Sequence, residues 1–211
     1  MKMHSCWNFV LNTLGVILIV VCICRAQSAQ SSSVSLPAGG AKPLLLERNE
    51  GELRVRRAVT DAPSQSGNKP ADPVPFILKV SPKNNGSEHL VLITEDLPPG
   101  GSIAKHKHLG QDEILLIQAG TVHAWLGDEE RDLHAGGLVF IPTNTWIALK
   151  NTSTEPSSLV AIFSAPGFED YLRCRSVPAS EKGTSVSMEE IKGCAHEGHV
   201  TFEAFDKNPN N

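Results

Sequence analysis

Short segments in which apolar and polar residues alternate begin at residue 75 and recur about every 8 to 12 residues as far as residue 164. Alternation with a period of two is typical of strands that bury one face. Gly, Pro and Asn separate the segments, as expected at turns. The predicted strands cover residues 75–80, 89–97, 102–108, 113–118, 121–126, 138–142, 145–151 and 158–164. This pattern predicts an all-β sandwich or barrel.

The pattern changes after residue 166, where two short amphipathic helices are predicted. They cover residues 167–173 and 187–195. Ser187, with Glu190 three residues later, has the arrangement of a capping box at the start of the second helix. The polar tail, residues 206–211, is expected to be disordered. The chain therefore predicts a short helical extension after the β domain.

The N-terminal residues 1–29 have the pattern of an export signal. Lys2 precedes an apolar stretch over residues 9–24, and small residues follow at Ala26, Ser28 and Ala29. We expect a secreted, periplasmic or otherwise extracytoplasmic protein. The alternative is an uncleaved signal anchor, which would be the protein's one attachment to a membrane.

Residues 30–72 are rich in Ser, Gln, Pro, Gly and Ala and are predicted to be a flexible linker. A basic cluster over residues 54–57 interrupts this segment. It resembles a proprotein-processing site if the source is eukaryotic, and a solvated charge run otherwise. The linker assignment places the start of the folded barrel at residue 73.

Charge and cysteine content narrow the choice of partners. Beyond residue 29 the chain carries 17 basic and 23 acidic side chains. This acidic balance argues against nucleic acid as a partner, because phosphate binding needs a basic surface. In an exported chain, Cys174 and Cys194 are expected to form a disulfide that joins the two C-terminal helices; reactive thiols are the alternative.

The strongest chemical signal lies between residues 100 and 120. His106 and His108 are two apart in a predicted strand, so both imidazoles face the same side. Glu113 opens the next strand, and Asp112 beside it is expected to be a turn residue. Two histidines and one carboxylate form a ligand set for a divalent transition metal. We expect Fe or Mn, with Zn or Ni as alternatives and a metal-free site left open.

The spacing of five residues resembles the first signature motif of the cupin superfamily. The five are Gly100, His106, His108, Glu113 and Gly120. The resemblance implies an antiparallel double-stranded β-helix, a jelly-roll-like barrel, over residues 73–166, with residues 167–211 as its extension. In style the sequence is similar to small, single-domain, quercetin-dioxygenase-like cupins.

The second cupin motif is present with one important departure. Gly136, Pro142 and Asn151 keep the spacing of the motif, and Asn144 stands at a usual glycine, where Asn tolerates positive φ. Ile147 occupies the position at which the family commonly has a histidine as its fourth metal ligand. The resemblance therefore implies at most three ligands from the two motifs.

His123 is the alternative fourth ligand. If Ala119 and Gly120 form a two-residue hairpin turn, His123 faces away from the side that carries Glu113. A three-residue loop would shift the register and bring His123 into the pocket.

Two functions remain open from the sequence, and it does not decide whether the protein is an enzyme. One is an exported metal-dependent enzyme, of dioxygenase or isomerase type, that acts on a small organic molecule. The other is a non-catalytic module that binds a small ligand or has a structural role, having lost the fourth ligand at Ile147. No catalytic residue is identified, and a homodimer is expected in either case.

Overall fold

Two antiparallel sheets face each other in the part of the chain that the computed structural model describes, residues 40–60, 74–181, 183 and 185–206. In spatial order, the larger sheet contains β11 (Ser176–Pro178), β1 (Glu52–Arg56), β2 (Pro75–Val80), β3 (Val91–Leu97), β10 (Ser157–Phe163), β5 (Glu113–Ala119) and β8 (Leu138–Ile141). The smaller sheet contains β12 (Val200–Phe202), β4 (Ser102–His108), β9 (Ile147–Asn151), β6 (Thr121–Leu126) and β7 (Glu129–His134). The all-β prediction is confirmed.

Four short helices accompany the sheets. They are α1 (Pro82–Asn85), α2 (Phe168–Cys174), α3 (Met188–Glu197) and α4 (Glu203–Asp206). The predicted capping box of α3 is present, with the Ser187 side chain accepting from the Glu190 backbone and the Glu190 carboxylate accepting from Ser187 in return. No helix in the described ranges is long and apolar enough to cross a membrane.

Apolar residues from both sheets pack between them. At one end, side chains of β5 such as Ile117 meet those of β6 and β9 such as Val122 and Leu149. At the other end, Phe163 of β10 packs with the C-terminal helices through Tyr171 and Ile191. The core therefore extends beyond the barrel and includes the C-terminal region.

The linker predicted over residues 30–72 is wrong for residues 40–60. Glu52–Arg56 forms β1, which pairs with β2 on one side and with β11 on the other. The arginines of the basic cluster are held by partners: Arg54 pairs with Glu52 at 2.8 Å, and Arg56 makes a bidentate pair with Glu95 at 2.7 Å. They form neither a solvated charge run nor an exposed processing site.

The turn before β1 is fastened by a buried lysine. Lys79 of β2 is 8% exposed, and its ammonium donates to the backbone carbonyls of Glu47 and Arg48, at 2.7 Å each, and to that of Glu50. Three carbonyl acceptors match the three donors of an ammonium group. Residues 47–50 are therefore wrapped around this one charge.

The extension predicted over residues 167–211 contributes strands as well as helices. β11 continues the larger sheet beyond β1, and β12 forms the edge of the smaller sheet beside β4. The boundary drawn at residue 166 does not separate two structural units, because both sheets continue across it. Residues 1–39, which contain the predicted export signal, and residues 207–211 of the tail lie outside the described residues.

Candidate metal centre

Two facing strands bring the predicted ligands together. His106 and His108 lie on β4 of the smaller sheet, and Glu113 opens β5 of the larger sheet. The register between β4 and β9 shifts between Ile103 and His106. Such an irregularity bends a strand and redirects its side chains. Both histidines consequently point into the space between the sheets.

The three side chains form a compact buried cluster. Potential ligand atoms of His106, His108 and Glu113 all lie within 4.8 Å of one another. The residues are only 5%, 2% and 6% exposed, respectively. Among the described residues, no other group of three or more His, Cys, Asp or Glu side chains meets this geometry.

His106 is held in one tautomer. Its Nδ1 lies 2.8 Å from the carbonyl oxygen of Ala104, which can only accept, so Nδ1 carries the proton. Nε2 is left with its lone pair, which is the form that binds a metal. Burial lowers the pKa of His106 to about 4, with a further contribution from His108, while Glu113 opposes the shift. The ring is therefore neutral at physiological pH.

Several buried polar atoms of the cluster have no hydrogen-bond partner. Both ring nitrogens of His108 and Oε2 of Glu113 are buried without a hydrogen-bond partner. His108 Nε2 and Glu113 Oε2 are 3.2 Å apart, but their geometry is not that of a hydrogen bond. Buried polar atoms without partners cost about 1–3 kcal/mol each. A divalent transition metal would bind Oε2 of Glu113 and one ring nitrogen of His108, so the residues fit this group.

Apolar side chains flank the ligands within the smaller sheet. His106 pairs in register with Ile147 of β9 on one side and with Phe202 of β12 on the other. Cross-strand partners share a face, and the Phe202 ring stacks on the His106 ring with centroids 5.6 Å apart. Ile147, at the family's fourth ligand position, is 1% exposed and packs in the core.

A phenylalanine from α2 covers the histidines. The Phe168 ring lies edge-on to His108 with centroids 4.5 Å apart, and 6.4 Å from the His106 ring. It also packs on Phe163, at 4.9 Å. Aromatic rings thus enclose the histidines of the cluster, and the sequence motifs gave no indication of these rings.

The start of α2 is tied to the loop between the ligand strands. Gln111 is 3% exposed, and its amide donates to the carbonyl of Pro166 at 2.7 Å. Gly167 has φ 139°, a region that favours glycine, and a Cβ at this position would collide with the Gln111 amide. Glu169 is also buried and accepts from the Gly167 backbone at 2.7 Å. These contacts hold Phe168 over the histidines.

The end of α2 is joined to α3. Cys174 and Cys194 form a disulfide that closes 20 residues of chain. Arg173, from the same turn, pairs with Glu52 of β1 at 2.7 Å. The C-terminal turn of α2 is therefore fixed both to the larger sheet and to α3.

The structure does not bring His123 to the cluster. Its Nδ1 lies 2.8 Å from Asp132 of β7, on the outer side of the smaller sheet. The hairpin assumed at Ala119 and Gly120 is wrong, because β5 and β6 belong to different sheets and do not pair. Gly120, with φ 78°, is the corner between the sheets, where a Cβ would collide with Ser157.

The second motif keeps its backbone geometry although it lacks the histidine. Asn144 has φ 62°, as expected for a residue at a usual glycine position. Asp112 does not join the ligands; its carboxylate accepts from the backbone of Thr143, 2.8 Å away. The motif thus ties the loop before Glu113 to the turn before β9.

Without metal, the protein should lose stability as the pH falls from about 6.5 to about 4. The unfolded chain binds a proton at His106 near pH 6.5, whereas the folded state resists it until about pH 4. In this window the unfolded state holds more protons, so the free energy of unfolding rises with pH. The shift corresponds to about 3 kcal/mol.

Urea denaturation in chelator at pH 4.5 and 7.5 measures this difference. His106→Gln should flatten the pH dependence, whereas His123→Ala, changed outside the cluster, should keep it. Equal slopes for wild type and His106→Gln would contradict the assignment.

Comparison with known proteins relates the central part of the chain to one family. Residues 93–163 match the model of the cupin domain. Protein TT1209 from Thermus thermophilus is 25% identical, with 44% of this chain and 83% of that chain covered and a TM-score of 0.40. A predicted oxalate decarboxylase from Thermotoga maritima is 21% identical, with 44% and 81% covered and a TM-score of 0.40.

The cupin domain of Cnp3 from Schizosaccharomyces pombe is 14% identical, with 51% of this chain and 70% of that chain covered and a TM-score of 0.41. No curated protein matches the chain. The family match begins within β3, ends with β10, and contains His106, His108 and Glu113. Residues 93–163 of this chain therefore form a cupin domain.

Proposed function

We propose that this protein is an exported cupin that binds one divalent transition metal through His106, His108 and Glu113 and acts on a small organic molecule. The observation that carries the proposal is the buried cluster of these three side chains, in which the ring nitrogens of His108 and Oε2 of Glu113 have no hydrogen-bond partner. Buried polar atoms are usually satisfied by the protein, by ordered water or by an ion, and a metal ion would bind Oε2 of Glu113 and one ring nitrogen of His108. The two histidines and the carboxylate match the ligand set of iron and manganese sites.

The bound metal would supply Lewis acidity and open coordination positions. The chain's own residues prepare the site for that role. The Ala104 carbonyl keeps the proton of His106 on Nδ1, so Nε2 stays available. Ile147, Phe202 and Phe168 make the walls apolar and exclude water. A small molecule with an apolar body suits such a site better than a sugar or a polyanion.

A second function, a non-catalytic module that binds a small ligand or has a structural role, is favoured by the position of α2 over the histidines. Phe168 lies against both histidine rings, so a substrate must displace it to reach them. The apolar side chain at Ile147 removes a ligand from the same site. Turnover of a small molecule by the metal-loaded protein would indicate the enzyme, whereas binding of a small molecule without turnover, or no binding of one, would indicate the module.

The disulfide between Cys174 and Cys194 supports export. Disulfides persist mainly in oxidising compartments, outside the cytoplasm. The apolar stretch at residues 9–24 supplies the signal for that route. Attachment to a membrane would depend on whether this segment is removed.

Metal analysis of protein purified without chelator tests the proposal. We expect about one equivalent of transition metal per chain, because three ligands from one cluster hold one ion. His106→Ala should reduce this content at least tenfold, since removing even an outer partner of a ligand costs 10–100-fold in affinity. His123→Ala is the matched control and should leave it unchanged. Wild-type protein that stays metal-free after soaking would refute the proposal.

A further inference from the structure

A pocket lies beside Phe202, the aromatic residue that stacks on His106. It has a volume of about 270 Å³ and lies between β4, β12 and the helices α2, α3 and α4. Its walls are predominantly apolar, formed by Val59, Tyr171, Met188, Ile191, Phe202 and Phe205. The volume falls just below the range of about 300–1,000 Å³ that is usual for drug-sized ligands. The pocket is therefore suited to a smaller molecule.

One cation in this apolar wall has no carboxylate partner. Arg175 lines the pocket and follows directly after α2. Its Nη1 donates to the Tyr171 hydroxyl at 2.9 Å, and its Nε is buried without a hydrogen-bond partner. No carboxylate of the described residues forms an ion pair with it. By contrast, Arg56 and Arg173 are each paired with a glutamate at 2.7 Å.

The other charged residues of the pocket neutralise each other. Lys105 of β4 and Glu203 of α4 form an ion pair at 3.1 Å, and both are about 40% exposed at the rim. The guanidinium of Arg175 thus gives the pocket a net positive charge. A guanidinium presents planar donors that match a carboxylate, and it attracts one more strongly where water is largely excluded.

We propose that this pocket binds a small monocarboxylate with an apolar body. The carboxylate pairs with Arg175, and the apolar body packs against the rings of Phe202 and Phe205. Both parts of the ligand match features of the pocket lining, a guanidinium that no carboxylate of the described residues pairs with and a predominantly apolar wall. This proposal does not depend on metal binding, because the pocket contains none of His106, His108 and Glu113.

Binding of octanoate and phenylacetate, each compared with its neutral alcohol, tests the proposal. The comparison of octanoate with octanol tests a ligand with an aliphatic body. The comparison of phenylacetate with 2-phenylethanol tests a ligand with an aromatic body. Titration calorimetry of the full-length protein gives the affinities, and intermolecular nuclear Overhauser effects to Phe202 and Phe205 locate the ligand. We expect at least one of the two acids to bind more tightly than its alcohol, about tenfold or more, as for a charged hydrogen bond.

Arg175→Gln should remove this advantage of the acid and leave binding of the alcohol and the metal content unchanged. Arg131→Gln, an exposed arginine of β7, is the matched control and should have no effect. Ala204→Leu, which places a larger side chain at the pocket wall, should weaken acid and alcohol alike. If Arg175→Gln does not fold, the acid-to-alcohol ratio and the Overhauser contacts of wild type decide.

Three results would overturn the proposal: equal affinity of acid and alcohol, absence of contacts to the Phe202 and Phe205 rings, or full acid binding by a folded Arg175→Gln. Metal content is measured on the same samples. A protein that binds the acid but no metal refutes the metal proposal alone, and a protein that binds metal but no acid refutes the pocket alone.

Discussion

His108→Leu should leave the metal-free protein at least as stable as wild type and abolish stabilisation by metal. Both ring nitrogens of His108 are buried without partners. Leucine has a similar size and brings no polar atom, so its burial against Phe163 and Phe168 avoids a cost of about 1–3 kcal/mol for each unsatisfied atom. With metal present, the free energy of unfolding of wild type should rise by about 2.7 kcal/mol when free metal is at 100 times its dissociation constant.

Urea denaturation with chelator, and again with added Mn²⁺ or Fe²⁺ under anaerobic conditions, measures both effects. His134→Leu changes an exposed histidine and serves as the control; it should respond to metal as wild type does. A chelated His108→Leu protein that is several kcal/mol less stable than wild type would contradict this account, because the ring nitrogens would then have partners.

Loss of the disulfide should destabilise the protein by about 3 kcal/mol and open the metal site. The Cys174–Cys194 bond closes 20 residues, a loop for which chain entropy gives that magnitude. The bond joins α2 to α3, and α2 carries the ring that covers His106 and His108. Cys174→Ser with Cys194→Ser should therefore release metal to a chelator faster than wild type, at least tenfold at equal temperature.

Thermal unfolding and the rate of metal extraction by a coloured chelator test this prediction. Phe168→Ala, with the disulfide intact, provides the comparison for the cover alone and should also speed extraction. If the cysteine variant is destabilised while its extraction rate equals that of wild type, the disulfide supports the fold but does not hold the cover in place.

The alternation of apolar residues located the central strands well. It missed strands that depend on contacts with residues distant in the sequence. Strand β2 was predicted with the bounds that the structure shows, Pro75–Val80. β1 was missed because Arg54 and Arg56 resemble loop residues until Glu52 and Glu95 are placed beside them. β7 lacks a buried residue, so its sequence shows no apolar period.

The sequence predicted the three residues that cluster in the candidate site and missed the residues around them. The spacing of His106, His108 and Glu113 is local, and two adjacent β segments suffice to express it. The contacts of Phe168 and Phe202 with the histidines join segments 60 residues or more apart, which no short motif encodes. Gln111 gave no signal either, because its role depends on its contact with Pro166.

The two peripheral strands β11 and β12 have a consequence for the smallest unit that can fold. A chain trimmed to the family match at 93–163 would lack β12, so the edge of β4 that carries both histidines would lack its partner. It would also lack β1 and β2, so β3 would become an exposed edge strand that can pair with another molecule. We therefore expect autonomous folding to need the chain from the Lys79-bound turn through α4, about twice the length of the family match.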